Sequence, residues 1–207
     1  MYRSELFRVG IIAKAPTTVM VKETYHDEGE SVFDNGNPSN KKYSTPESSN
    51  DYGVSSPWTF GAGVSGYIIP QLLLSADLEL TDWTQMKFTD NQSLEKKNIS
   101  MSSDFRSTAS YRLGAEFEIP KTEIRLRGGY SLTPSPYKND PSSFDQKMYT
   151  GGAGILLQRN VLLDGAVVFG SFKSFRNQYR DPNIIGVSRT DESISTTQVI
   201  MTLSYRF

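Results

Sequence analysis

Charged residues recur at every second position of several apolar stretches: Asp77 and Glu79, Arg112, Glu116 and Glu118, Arg125 and Arg127, Asp164, and Arg206 near the last residue. In extended backbone, side chains so spaced share one face. A guanidinium on that face can meet a ligand carboxylate in bidentate geometry, and a carboxylate can balance it. Arg112, Arg125, Arg127, Asp77, Glu79 and Asp164 are therefore the candidate ligand-binding residues, with Arg112 nearest the loop end. For Arg125 and Arg127 a plainer role is preferred, in which they neutralise Glu118 and Glu116. Asp77, Glu79 and Asp164 fall opposite Gly63, Gly61 and Gly154 once neighbouring strands are put in register. Those glycines either leave room for ligand or water or ease bending of the backbone.

Other chemistries lack their residues. The chain has no cysteine, which removes thiolate catalysis, zinc–cysteine sites, iron–sulfur clusters and disulfides. His26 is the sole histidine, and one imidazole without ligating neighbours reads as a surface residue rather than a metal or haem ligand. Gly61, Gly63 and Gly66 spell G-x-G-x-x-G, but within a strand that opens no helix, so no dinucleotide site is expected. Gly151, Gly152 and Gly154 are set aside on similar grounds. No arrangement of nucleophile, base and orienting group is visible, so neither an enzyme nor a cofactor is expected. A net charge of −1, from 22 basic and 23 acidic residues, gives no footprint for nucleic acid.

The 207 residues are 37% apolar and 22% charged. No stretch approaches the roughly 18 consecutive apolar residues of a membrane helix, and the first ten residues lack the apolar core of a signal peptide. Alternation with period two runs along most of the chain, which predicts an all-β protein of antiparallel hairpins. Strands are expected over Trp58–Ile68, Leu72–Leu80, Tyr111–Ile119, Ile124–Leu132, Tyr149–Leu157, Val161–Phe169 and Val199–Phe207, preceded by two less regular ones near Leu6–Lys14 and Val19–His26. In the seven regular strands one face carries no charge at all, while the other carries the nine charges named above. A register that sets Phe117 beside Leu126 and Leu113 beside Tyr130 also sets Glu118 beside Arg125 and Glu116 beside Arg127, so both faces agree. Across Gln158–Asn160 the same logic joins Tyr149 to Phe169 and Gly154 to Asp164.

Short turns at 15–18, 69–71, 120–123 and 158–160 alternate with long polar segments around 27–57, 82–104, 133–148 and 170–193. In a meander this puts every short turn at one rim and every long loop at the other. A soluble β-sandwich also alternates. Strands of about 9–11 residues, however, suit a tilted span of a hydrocarbon band ~25 Å tall. Aromatics near strand ends, namely Trp58, Trp83, Tyr130, Tyr149, Phe169, Tyr205 and Phe207, suit its interfacial girdles. The expected fold is an antiparallel up-and-down transmembrane β-barrel. Its final strand, Val199, Met201, Leu203, Tyr205 and Phe207 on one face, resembles the C-terminal signal read by the barrel-assembly machinery of bacterial outer membranes. Leu203, Tyr205 and Phe207 are the expected assembly signal.

The blocks RVGIIAKAPT, SSPWTFGAGVSGYIIPQLLLSADLELTDWTQMKF, YRLGAEFEIPKTEIRLRGGYSLTPSPY and MYTGGAGILLQRNVLLDGAVVFGSF, followed by that strand, resemble the C-terminal part of the FadL/TodX-like outer-membrane transport proteins. The resemblance implies a 14-stranded barrel with an N-terminal hatch and a lateral exit through a gap at an early strand. It makes residues 1–207 one barrel domain contributing about nine strands, with the hatch and the early strands absent. It also implies bacterial outer-membrane localisation and passive uptake of hydrophobic small molecules, such as fatty acids or related hydrocarbons. The expected partners are that hydrophobic molecule, outer-membrane lipid and the assembly machinery. Two other functions stay open: anchoring, adhesion or haemin binding through the long extracellular loops, and a soluble β-sandwich binding module.

Overall fold

The computed structural model describes residues 2–3, 6–31, 42–158, 160–180 and 187–205. The chain begins with β1 (Tyr2–Arg3) and β2 (Phe7–Lys14), and continues through β3 (Thr18–Tyr25), β4 (Glu28–Glu30), β5 (Lys42–Ser44) and β6 (Ser48–Ser55). It then enters β7 (Thr59–Ile69) and β8 (Leu72–Asp82). A 3-10 turn at Trp83–Gln85, β9 (Lys87–Thr89) and two short helices, α1 (Gln92–Glu95) and α2 (Asn98–Asp104), follow. The rest is β10 (Ser107–Glu118), β11 (Ile124–Thr133), β12 (Gln146–Gln158), β13 (Val161–Arg180) and β14 (Val187–Tyr205).

One antiparallel sheet takes the order β1-β2-β7-β8-β10-β11-β12-β13-β14. Its registers are those the alternation requires: Phe117 opposite Leu126, Glu116 opposite Arg127, Gly63 opposite Asp77, Gly61 opposite Glu79, and Gly154 opposite Asp164. Among the described residues β1 and β14 do not pair with each other, and the sheet is open.

Solvent exposure tells the two faces apart. No hydrophobic residue is buried among the described residues, and Leu74, Leu78, Leu113 and Leu126 are 41%, 44%, 52% and 46% exposed. The buried residues are instead hydroxyl-bearing ones such as Thr59, Thr81, Thr108 and Ser110, which belong to the charge-bearing face. A soluble sandwich would bury the leucines in a dry centre. This sheet turns them outward, where only acyl chains remove the cost of exposing so much contiguous apolar surface.

Four expectations need correction. Val19–His26 is not a wall strand: β3 leaves the main sheet and joins β6 and β9 in a separate three-stranded sheet, while β2 pairs directly with β7. Lys22 and Glu23 are adjacent, so they put a charge on each face of β3, and neither face can meet lipid. Residues 15–18 are consequently not a turn at the short-loop rim, because Lys14 pairs with Thr59 at the opposite end. Residues 170–180 and 187–193, expected within a long loop, are strand instead. β13 and β14 stay paired as far as Arg180 and Val187, because a ladder beyond the membrane needs no apolar face. Finally, Trp83 is not a girdle residue, since its indole is bonded to Thr108 on the polar face. The girdle is nonetheless formed by Tyr111, Tyr130 and Tyr149, with ring centroids 6.3 and 5.1 Å apart, and by Trp58 stacked on Phe60 at 5.8 Å.

Candidate functional site

Alternation directs Arg8 and Lys14 of β2, Asp77 and Glu79 of β8, Arg112 and Glu116 of β10, Arg125 and Arg127 of β11, and Asp164 of β13 to the polar face. Most of these charges satisfy one another. Arg125 Nε lies 3.3 Å from Glu118 Oε2, and Arg127 Nε lies 2.6 Å from Glu116 Oε2, the two pairs the sequence favoured. Arg127 also bonds Asp164 through Nη1, and Lys14 Nζ bonds Glu79 Oε2 at 2.7 Å. These last two contacts were not foreseen. Because the groups keep part of their surface open, each isolated pair contributes no more than about 1 kcal/mol. Their combined effect is to neutralise the wall.

The glycines opposite the acids have a defined role. A Cβ at Gly154 would lie 2.3 Å from Asp164 Oδ1, and one at Gly63 would lie 2.2 Å from Asp77 Oδ1. Each aspartate therefore lies flat across the glycine of the next strand, and Asp164 gains its reach to Arg127 over Gly154. Gly61 instead accommodates Ile12, whose Cγ2 would be 2.8 Å from an added Cβ. The sequence signal for the Arg127–Asp164 contact was present: the two β12 residues that stand opposite them on the polar face, Gly152 and Gly154, are both glycines.

Arg112 and Asp77 are register partners, yet they form no ion pair, because Asp77 turns toward Gly63. Among the described residues Arg8 and Arg112 are without an ion-pair partner. Both line a cavity of about 510 Å³ together with Gly10, Gly63, Asp77 and Glu79. Six candidate residues thus divide: Arg125, Arg127, Glu79 and Asp164 hold the wall, while Arg112 and Asp77 face open space. Arg8 was missed because β2 alternates less cleanly than its neighbours. A smaller cavity of about 310 Å³ sits at the short-turn rim beside Glu118, Glu123 and Arg125. His26 stands 3.5 Å from Glu28 in the loop-side extension. No group of three metal-ligating side chains occurs among the described residues.

The model of the family described as outer membrane protein transport protein (OMPP1/FadL/TodX) matches residues 4–207. The chain belongs to this family. Proteins of the OMPP1/FadL/TodX family reside in the outer membrane and are transport proteins rather than enzymes. Comparison with curated proteins gave no match. Among solved structures, the CymD monoaromatic hydrocarbon channel is similar with a TM-score of 0.55 at 16% identity, over 99% of this chain and 48% of that one. A Pseudomonas aeruginosa FadL homologue gives 0.60 at 13% identity over 98% and 49%. The P. putida toluene transporter TodX gives 0.57 at 12% identity over 99% and 46%. At these identities the likeness is one of fold. This OMPP1/FadL/TodX-family chain spans about half the length of the structures it matches.

Proposed function

We propose that residues 1–207 are the C-terminal part of a single outer-membrane barrel domain that takes up hydrophobic small molecules, fatty acids or related hydrocarbons, by passive diffusion. The remaining wall strands and a hatch come from polypeptide outside these residues. The observation that carries this is the division of the sheet into an uncharged face exposed to lipid and an inner face whose charges are largely cancelled by ion pairs. A neutralised wall with a cavity in it lets an apolar solute pass without meeting a strong field, and Arg112, with Arg8 lining the same cavity, supplies the orienting charge for a polar end. Neighbours described as a monoaromatic hydrocarbon channel and a toluene transporter make aromatic hydrocarbons the first substrates to try. Leu203, Tyr205 and Phe207 serve the assembly machinery in this proposal, Phe207 lying outside the described residues.

The test is uptake of radiolabelled hexadecanoate and toluene by bacteria producing the full chain, with the proton gradient intact or collapsed. Uptake that survives collapse supports passive diffusion; uptake lost on collapse rejects it, and uptake no higher than in cells without the protein rejects transport altogether. A second function, partner binding through the loops, draws on the ordered sheet that β3, β6 and β9 form outside the wall. Deleting residues 18–55 would abolish partner binding while sparing uptake.

A further inference from the structure

Thr59, Thr81 and Thr108 form one row across β7, β8 and β10 on the polar face, Thr81 being register partner to both others. All three are buried, as is Ser110 one position further in, whereas the charged residues of the same face, such as Glu79 and Arg127, keep part of their surface open. The Thr59 and Thr81 hydroxyls are 3.0 Å apart. The Trp83–Gln85 turn reaches this row, its indole N–H donating to Thr108 Oγ1 at 3.0 Å. The turn is held from several sides. Asp82 accepts from Thr84 Oγ1 at 2.7 Å, from Gln85 Nε2 at 3.1 Å and from Ser107 Oγ at 3.0 Å, while Gln85 Oε1 accepts from the Trp58 backbone N–H at 3.3 Å. A tryptophan at a membrane boundary ordinarily turns its N–H to interfacial water with its ring in lipid. Here the N–H is tied to an inner-wall hydroxyl, which keeps the ring on the lumen side.

The cavity lined by Arg8 and Arg112 begins at the next level inward, where Gly61 and Glu79 contribute to its wall. We infer that Trp83 is a specificity-determining residue: a fixed lip at the loop-side entrance of this cavity that limits the cross-section of the molecules admitted. Slender chains and single rings pass it; fused polycyclic or heavily branched ones do not. This rests on the transport reading above, and two measurements keep them apart.

These residues hold no cysteine, so Ser110→Cys, with any cysteine elsewhere in the full-length protein replaced, places a single thiol one position further in than Thr108, the partner of the indole. Labelling in outer membranes is compared for a small methanethiosulfonate and for a bulky dye-linked maleimide, with and without Trp83→Ala. Trp83→Ala should speed the bulky label at least about tenfold, the scale on which a fixed wall rejects an oversized group, and the small one by about twofold or less. Thr108→Val, which frees the indole without removing it, should fall between. Equal bulky-label rates with and without Trp83→Ala overturn the lip. In the second measurement, the ratio of pyrene to hexadecane uptake should rise about tenfold in Trp83→Ala on the same reasoning, with Trp83→Phe intermediate. This arm uses the native background and does not depend on Ser110→Cys folding. An unchanged ratio in cells that take up both compounds overturns the lip and leaves transport standing. A raised labelling rate in cells that take up neither supports the lip and overturns transport.

Discussion

Arg127 and Asp164 bond to each other across an intervening strand, over the bare backbone of Gly154, although neither is the other's register partner. The contact exists because a glycine stands where any side chain would block it, with an added Cβ falling 2.3 Å from Asp164 Oδ1.

Gly154→Ala should therefore cost about what losing the ion pair costs, on the order of 1 kcal/mol for a partly exposed pair. Asp164→Asn should cost a similar amount, and the double variant should cost little more than either alone, because both remove one interaction. Equilibrium unfolding of the full-length protein in lipid, read as a double-mutant cycle, checks this; additive losses would break the link between the two positions.

Of the inner arginines, those that face the cavity without an ion-pair partner should matter for substrates with a polar end, and those that hold the wall should not. Arg112→Gln should raise the half-saturating concentration of a fatty acid about tenfold, the worth of one charge-assisted hydrogen bond, while leaving toluene uptake unchanged. Arg125→Gln, which removes a wall contact with Glu118, should change neither by more than about twofold. Concentration-dependent uptake of the two substrates separates these outcomes.

The outward position of Leu113 has a direct consequence. Leu113→Lys should destabilise the assembled protein by about 2–4 kcal/mol, the cost of a Lys on the lipid face near the bilayer midplane. Thr202→Lys, on the opposite face by alternation, should be nearly neutral. Heat-modifiable gel migration of the two variants in outer membranes is the comparison, and equal stability would remove the facial assignment.

Outside the wall, the Tyr52 hydroxyl donates to Glu23 Oε1 at 2.8 Å. That hydrogen bond, then burial, then repulsion from the carboxylate raise the Tyr52 pKa above the ordinary 10.0. The protonated phenol is the form favoured in the folded sheet. Its contribution is complete below the unfolded tyrosine value and lost as pH rises through the higher folded one. Ultraviolet titration, with Tyr52→Phe as the difference reference, should find a high-titrating tyrosine that returns to the ordinary range in Glu23→Gln.

Much of the wall was legible because lipid imposes a rule with no exceptions along its length. The pairing of Glu116 with Arg127 and of Gly154 with Asp164 follows from requiring two faces to agree at once. That rule stops where lipid stops. Val19–His26 alternates well enough to look like wall, and only the adjacent Lys22 and Glu23 betray that both its faces are wet. β13 and β14 keep pairing into water, where polar composition is no sign of a loop. Trp83 matched an interfacial pattern by type and position; its partner Thr108 lies 25 residues on, a distance no local pattern reports. Lys14 finding Glu79 across β7 was hidden for the same reason.

The three residues of β9 have an effect out of proportion to their number. They leave the wall after β8, yet they are laddered onto β6, which lies before β7, and Asn91 and Asn98 fasten the junction through Asn50 and the Phe88 backbone. Two surface segments rooted in different hairpins thus share one seam. Neither can swing aside without carrying the other or unzipping that seam.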